Sequence, residues 1–183
     1  MNTFATAFWR RLDVPGHDAA RVMQTENGYE LSGQSIFGGL HGPAALRYVL
    51  TLEHDWSTKE GRITGFIGER SVDDHIERTP RGWTFNGREC GMADILDLDL
   101  GFTPATNMIQ LRRVSLAIGE TASFDVAWLE AGDEELQRLP QTYHRATEFE
   151  YPYHSPHGGY RETITLSGSG FAAVYPNLWE LER

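Results

Sequence analysis

One strongly curved antiparallel sheet with few, short helices is the fold class this sequence predicts, and three observations predict it. The first is periodicity. Leu46, Tyr48, Leu50 and Leu52 alternate with Arg47, Val49, Thr51 and Glu53, the period of two that marks a half-buried strand, and similar runs recur along the chain. The second is composition: nineteen glycines, five tryptophans, seven tyrosines and nine phenylalanines favour strands and tight turns over helices. The third is punctuation by Pro15-Gly16, Asn27-Gly28, Gly42-Pro43 and Asn86-Gly87, dipeptides that break strands and turn the chain. About a dozen strands on short turns would leave long unpaired edges if flat, so the sheet should curl or close and acquire a concave face. The 183 residues fit a single domain over residues 1–183. A chain of that size buries about 70% of its unfolded surface, enough for a core without staples.

In chain order, Phe4, Phe8, Trp9 and Leu12 read as a first strand ended by Val14-Pro15-Gly16. Ala20 to Thr25 and Tyr29 to Ser35 form a hairpin across Glu26-Asn27-Gly28, and a loop at Gly38–Pro43 leads into the strand of Leu46 to Glu53. A further short strand lies between Gly61-Arg62 and Gly68-Glu69. Ser71 to Arg78 follows with a solvated face of Asp73, His75 and Glu77, and Trp83 to Phe85 runs into the Asn86-Gly87 turn. Ser123 to Trp128, Leu139 to Ala146 and Thr147 to Tyr153 are the next strands, the last presenting Phe149, Tyr151 and Tyr153 on one side. Tyr160 to Leu166 and Phe171 to Tyr175 close the chain as a hairpin over Ser167–Gly170. Helices should be minor; the nearest candidate, Gly132 to Leu139, is short and meets Pro140.

The run Asp97 to Leu116, DLDLGFTPATNMIQLRRVSL, organises the rest. Leu96, Leu98 and Leu100 should share a dry strand face, with Asp97 and Asp99 on the opposite, charged one. Thr103, Pro104, Thr106 and Asn107 turn the chain, after which Arg112 and Arg113 are expected to open a second strand through Val114, Leu116 and Ile118. Arg suits bidentate carboxylate pairing, so Asp97 or Asp99 with Arg112 or Arg113 would clamp the turn, or the same groups could meet a polar head group in a cavity.

This run, with Trp56 to Lys59 before it and the YPNLW segment at 175–179, resembles a family of small bacterial proteins described as putative glycolipid-binding, formerly a domain of unknown function. The pattern D-x-D-L-x-x-T-P-x-T-N followed by R-R-[LV] falls on Asp97, Asp99, Leu100, Thr103, Pro104, Thr106, Asn107, Arg112, Arg113 and Val114. The likeness extends from about Trp9 to the C-terminus; Gln110 and Ser167 depart from it, standing where a proline and an acid are usual. The resemblance implies a spiral β-roll, a sheet wrapped around an apolar interior and similar in outline to half-barrel lipoprotein carriers.

A formal net charge of -10, with Lys59 the sole lysine, excludes the basic stripe that nucleic acid or an anionic membrane requires. Cys90 alone cannot form an intrachain disulfide, MNTFATAFWRR does not read as a signal peptide, and no apolar run reaches the roughly 18 residues of a spanning helix. A soluble, cytoplasmic protein is expected. Gly168-Ser169-Gly170-Phe171-Ala172-Ala173 fits G-x-G-x-x-[GA] but joins two strands, so a hairpin turn explains it. No G-x-S-x-G elbow is present, and His154 with His157 would need ligands from elsewhere to hold a metal. Neither a cofactor, a metal nor a catalytic group is expected.

The candidate ligand-binding residues are therefore Trp56, Trp83, Trp128, Tyr151 and Tyr153 as aromatic walls, and Asp97, Asp99, Asn107, Arg112 and Arg113 as polar groups. The expected function, resting on the resemblance, is non-enzymatic binding or carriage of an amphipathic lipid, a glycolipid or its precursor, in the apolar cavity of the curled sheet. Twelve buried acyl carbons would contribute roughly 10 kcal/mol gross, ample for micromolar affinity after the costs of association. The alternative is a lipid- or sugar-modifying enzyme on the same scaffold, using Asp and His groups that the fold brings together. A purely structural module, with a filled interior, is the third reading.

Overall fold

A computed structural model describes residues 2–156 and 159–182. The first half is a meander of eight strands: β1 (Asn2–Arg11), β2 (Gly16–Thr25), β3 (Gly28–Gly39), β4 (Gly42–Leu52), β5 (Thr58–Ile67), β6 (Arg70–Thr79), β7 (Gly82–Phe85) and β8 (Arg88–Gly91). Then come β9 (Leu98–Leu100) and the helix α1 (Thr106–Val114). The second half is β10 (Thr121–Leu129), β11 (Gln137–His144), β12 (Glu150–Ser155), β13 (Tyr160–Leu166), β14 (Ala172–Tyr175) and β15 (Trp179–Leu181). Among the described residues all fifteen strands form one sheet, in the order β8-β7-β6-β5-β4-β3-β2-β1-β15-β14-β13-β12-β11-β10-β9. It is mainly β, as the alternation predicts, and antiparallel throughout except where β9 lies parallel to β10.

Turn chemistry places the hairpins. At β7–β8, Asn86 (φ 51°) and Gly87 (φ 78°) both take positive φ, as a two-residue hairpin loop requires. At β2–β3 the loop is Glu26-Asn27, and the following Gly28 (φ 131°) sits so close to the Leu52 carbonyl that a side chain would collide with it. β4 buries Ala44, Leu46, Tyr48, Leu50 and Leu52 on one face, as its alternation predicts.

The sheet rolls. β5 is fourth and β9 fifteenth in strand order, yet the Thr58 amide donates to the Leu96 carbonyl (2.9 Å) and the Thr58 hydroxyl accepts from the Leu98 amide (3.2 Å). Leu98 lies directly over Gly61, and the Ser35 hydroxyl on β3 donates to the Phe102 carbonyl (3.0 Å). The segment after β9 is thereby drawn inside the curl. Both faces of β9 are consequently buried: Leu98, Asp99 and Leu100 are all buried, and so is Asp97, whereas Leu96 just before the strand is exposed, which corrects the expected division into a dry face of Leu96, Leu98 and Leu100 and a charged one.

Arg112 and Arg113, expected to open a second strand, belong instead to the last turn of α1. The Thr103 hydroxyl accepts from the Ala105 amide to start the turn, and Ser115 ends the helix in the left-handed region (φ 47°) with its N–H on the Leu111 carbonyl. The two arginines lie where the helix dipole favours positive charge. Every residue from Thr106 to Leu111 is buried, so no single apolar stripe betrays the helix in the sequence.

Phe102, Met108 and Ile109 fill the interior against Leu31, Leu46, Leu50 and Ile63, each apolar side chain contributing roughly 1.5–3 kcal/mol by leaving water. A smaller cluster of Leu111, Leu116, Tyr143, Tyr151, Tyr153 and Ile164 occupies the other side of α1. Much of the concave face is thus covered by the chain's own β9–α1 segment, and open space lies along the flanks of the helix. No helix among the described residues is long and apolar enough to cross a membrane.

Candidate functional site

One cleft runs along α1 toward β12, β13 and the turn at 167–170, with a volume of about 390 Å³. Trp56, Leu111, Arg112, Arg145, Glu148 and Tyr151 are among its lining residues. Trp56 is presented by a tight turn: its N–H donates to the Glu53 carbonyl (3.0 Å), and Asp55 accepts from both the amide (2.9 Å) and the hydroxyl (2.7 Å) of Ser57. Those bonds from Ser57 hold the Asp55 carboxyl below its ordinary range. The turn puts Trp56 in the left-handed region (φ 71°), an unfavourable conformation for a bulky residue, while its ring stacks on Tyr29 with centroids 3.9 Å apart. The Arg112 guanidinium lies 5.1 Å from the Phe4 ring and 5.9 Å from Trp56, and donates to the Ser169 carbonyl (3.2 Å). Across the cleft Arg145 donates to the Leu116 carbonyl (2.7 Å) and lies 5.8 Å from the Tyr151 ring, whose phenol is pushed up by burial against the pull of Arg145 and Arg112. Aromatic faces, an apolar helix flank, two guanidiniums and a carboxylate therefore share one opening.

A second cleft of about 240 Å³ lies on the other flank of α1 and includes Asp99, Asn107, Trp128, Glu130 and Tyr153 in its lining. Asp99 accepts from the Thr106 hydroxyl and from the Gln141 amide, both at 2.6 Å. Burial nevertheless raises its pKa. Asn107 donates to the Tyr143 hydroxyl (2.8 Å), which donates in turn to the Gln110 amide oxygen (3.1 Å). All three of those residues are buried, so Tyr143→Phe strands a donor and an acceptor away from water and is expected to cost about 1–3 kcal/mol. Urea unfolding measures it; a loss below about 0.5 kcal/mol would show that the network carries no weight.

Asp97 and Arg113 form a bidentate pair with contacts of 2.6 to 2.9 Å. The ten residues nominated from the sequence thus separate. Trp56, Arg112 and Tyr151 meet in the first cleft and Asp99, Asn107, Trp128 and Tyr153 in the second, while Asp97 and Arg113 line neither and pair with each other. Trp83 stands apart, buried in the core with its indole N–H on the Ile95 carbonyl (3.1 Å). Sequence reasoning missed Arg145, Glu148 and the 167–170 turn in the first cleft, and Glu130, Tyr160 and Tyr175 in the second. The aromatic run at 149–153 was the available signal for Arg145 and Glu148; nothing local marks Glu130. His154 is described, while His157 lies outside the described residues.

A model of the family described as "Putative glycolipid-binding" matches residues 6–181. The chain belongs to that family. Among solved structures this glycolipid-binding-family chain is similar to a DUF1089 family protein from Pseudomonas aeruginosa, at 23% identity and a TM-score of 0.77 over 89% of this chain and 91% of the other. That likeness shows the fold. No curated protein matches the chain.

Proposed function

We propose that the chain is a non-enzymatic binder or carrier of an amphipathic lipid, a glycolipid or its precursor, and that the cleft holding Trp56, Arg112 and Tyr151 receives the head group. The observation carrying this reading is the composition of that cleft: aromatic faces on which a sugar ring can lie, with Arg112, Arg145 and Glu148 to hydrogen-bond its hydroxyls. Its volume of about 390 Å³ falls in the usual range of small-molecule sites. Met108, Leu111, Leu116 and Leu166 continue the lining as an apolar surface for the first part of an acyl chain. Family membership supports a glycolipid over other amphiphiles.

Titration with dodecyl maltoside below its micelle concentration tests the proposal. Trp56→Leu and Arg112→Gln should each weaken binding tenfold or more, about 1.4 kcal/mol, and Arg112 is exposed enough for its replacement to leave the fold intact. Native mass spectrometry of protein from its own host should show a bound lipid. Failure of dodecyl maltoside to bind, with no lipid retained, would overturn the reading.

A further inference from the structure

We propose that the head group seated in the first cleft is acidic, bearing a carboxylate or a phosphate that accepts hydrogen bonds from the guanidiniums of Arg112 and Arg145. The inference rests on the glycolipid reading of that cleft and adds a negative charge to its ligand.

The chain is acidic, with a formal net charge of -10, and many of its arginines pair with a carboxylate. The two that line the first cleft do not. Among the described residues neither Arg112 nor Arg145 forms an ion pair. The contrast is sharpest at the end of α1, where consecutive arginines part company. Arg113 is held by both oxygens of Asp97, whereas Arg112 lines the cleft and meets a carbonyl and two aromatic rings.

Both cleft arginines are fixed by neutral acceptors, which orient the charge without cancelling it. Arg145 donates to the carbonyls of Leu116 (2.7 Å), Thr147 (3.4 Å) and Glu148 (3.4 Å). Arg112 donates to the Ser169 carbonyl (3.2 Å), and its guanidinium lies against Gly170 (φ 92°), where a Cβ would come within 3.0 Å of Nη2. The turn at 167–170 therefore does more than reverse the chain: its bare Gly170 leaves room for a guanidinium. A guanidinium carries five N–H donors, so both arginines retain some for a ligand, and side chains already held lose less entropy on binding.

Glu148 is the one acid lining the cleft, and among the described residues its carboxylate accepts no hydrogen bond. Positive charge prevails beside Tyr151: burial raises its phenol, and the charges that pull it back down are Arg145 and Arg112. A guanidinium only donates and an anionic oxygen only accepts, and hydrogen bonds between such ionised partners are roughly twice as strong as neutral ones. A neutral sugar hydroxyl would leave that difference unused.

The test is titration of the intact protein with dodecyl glucuronide, dodecyl glucoside and dodecyl phosphate, each below its micelle concentration. Glucuronide and glucoside share chain and ring and differ only in a carboxylate against a hydroxymethyl group. At about 0.15 M salt, where charges beyond roughly 8 Å are screened, the overall negative charge of the protein contributes little and the comparison reports the cleft. At least one of the two anions should bind roughly tenfold more tightly than the glucoside. Arg112→Gln should reduce that preference to about threefold or less, and Arg112→Lys, which keeps the charge, should retain more of it. Glu148→Gln should widen the preference roughly threefold, a gain that misfolding cannot produce. Glucuronide binding more tightly than dodecyl phosphate would support an acidic sugar as the source of the charge, and the reverse order a phosphate. Neither anion exceeding the glucoside, or a preference that survives Arg112→Gln intact, would overturn this inference while the glycolipid reading stands on dodecyl maltoside. Failure of dodecyl maltoside, the glucoside and both anions to bind would overturn the two together.

Discussion

Arg113→Met is expected to destabilise the protein by about 3–5 kcal/mol, because it removes one partner of a buried ion pair and leaves the other in the interior. For a chain of this size that lowers the thermal midpoint by roughly 6–20 °C. Asp97 has no exposed side-chain surface, whereas Arg113 retains 20%. Two effects oppose each other on the carboxyl: burial raises its pKa and the Arg113 guanidinium lowers it, and burial is the larger. The pair thus tolerates the cost of desolvation without fully offsetting it, and without the guanidinium nothing comparable remains to oppose it. The double variant Asp97→Leu/Arg113→Met should accordingly recover most of the loss, since a well-packed apolar pair replaces two buried charges. Urea unfolding of the parent, the single and the double variant checks both points. A single-variant loss below about 1 kcal/mol would mean that water reaches Asp97 in solution.

Asp18→Asn is expected to stabilise the protein at pH 8 by up to about 4 kcal/mol and to leave it nearly unchanged at pH 4. Asp18 sits in the core, where Tyr48 donates to it (2.8 Å) and the Tyr48 hydroxyl also contacts that of Thr103 (3.0 Å), tying β2 and β4 to the segment inside the curl. Burial pushes its pKa up to about 7, against hydrogen bonds from Tyr48, Thr103 and Ser35 that pull it down. A carboxyl raised in the folded state contributes stability that is fully present below its unfolded pKa of about 3.9 and is lost as pH rises through about 7. Asparagine keeps an oxygen for the Tyr48 hydroxyl and has no proton to lose. Other raised carboxyls such as Asp97 and Asp99 remain in both proteins, so the difference between the two stability profiles isolates Asp18. Parallel profiles between pH 4 and 8 would refute the assignment.

How legible this structure was depends on whether the information is local. The β4 alternation and the Asn86-Gly87 hairpin are properties of a few consecutive residues, and both could be read directly. The helix could not. Thr106, Asn107, Ile109 and Val114 are weak helix formers, no side chain caps α1, and its buried surface includes Asn107 and Gln110, so period and propensity both point elsewhere. What holds it helical is tertiary: Phe102 to Leu111 fill a space that exists only once the sheet has rolled. The clefts are unreadable for the same reason. Glu130 and Tyr175 line one wall although 45 positions separate them, while the family pattern gathered residues that α1 then divides between its two sides.

That the filler of the curl comes from mid-sequence has a consequence for synthesis. A ribosome emits residues N-terminal first, so the eight-stranded meander can pair while Leu31, Leu46, Leu50 and Ile63 still lack Phe102, Met108 and Ile109 to cover them. At about 5–20 residues per second the gap lasts seconds, long enough for a nascent ribbon to meet a chaperone or another ribbon. The seam between β1 and β15 forms only after the second half has been made, when β15 returns to a strand synthesised well before it. Truncated products stopping near Gly91 should therefore be sticky, and the arrival of the helix is the event that turns a greasy trough into a protein.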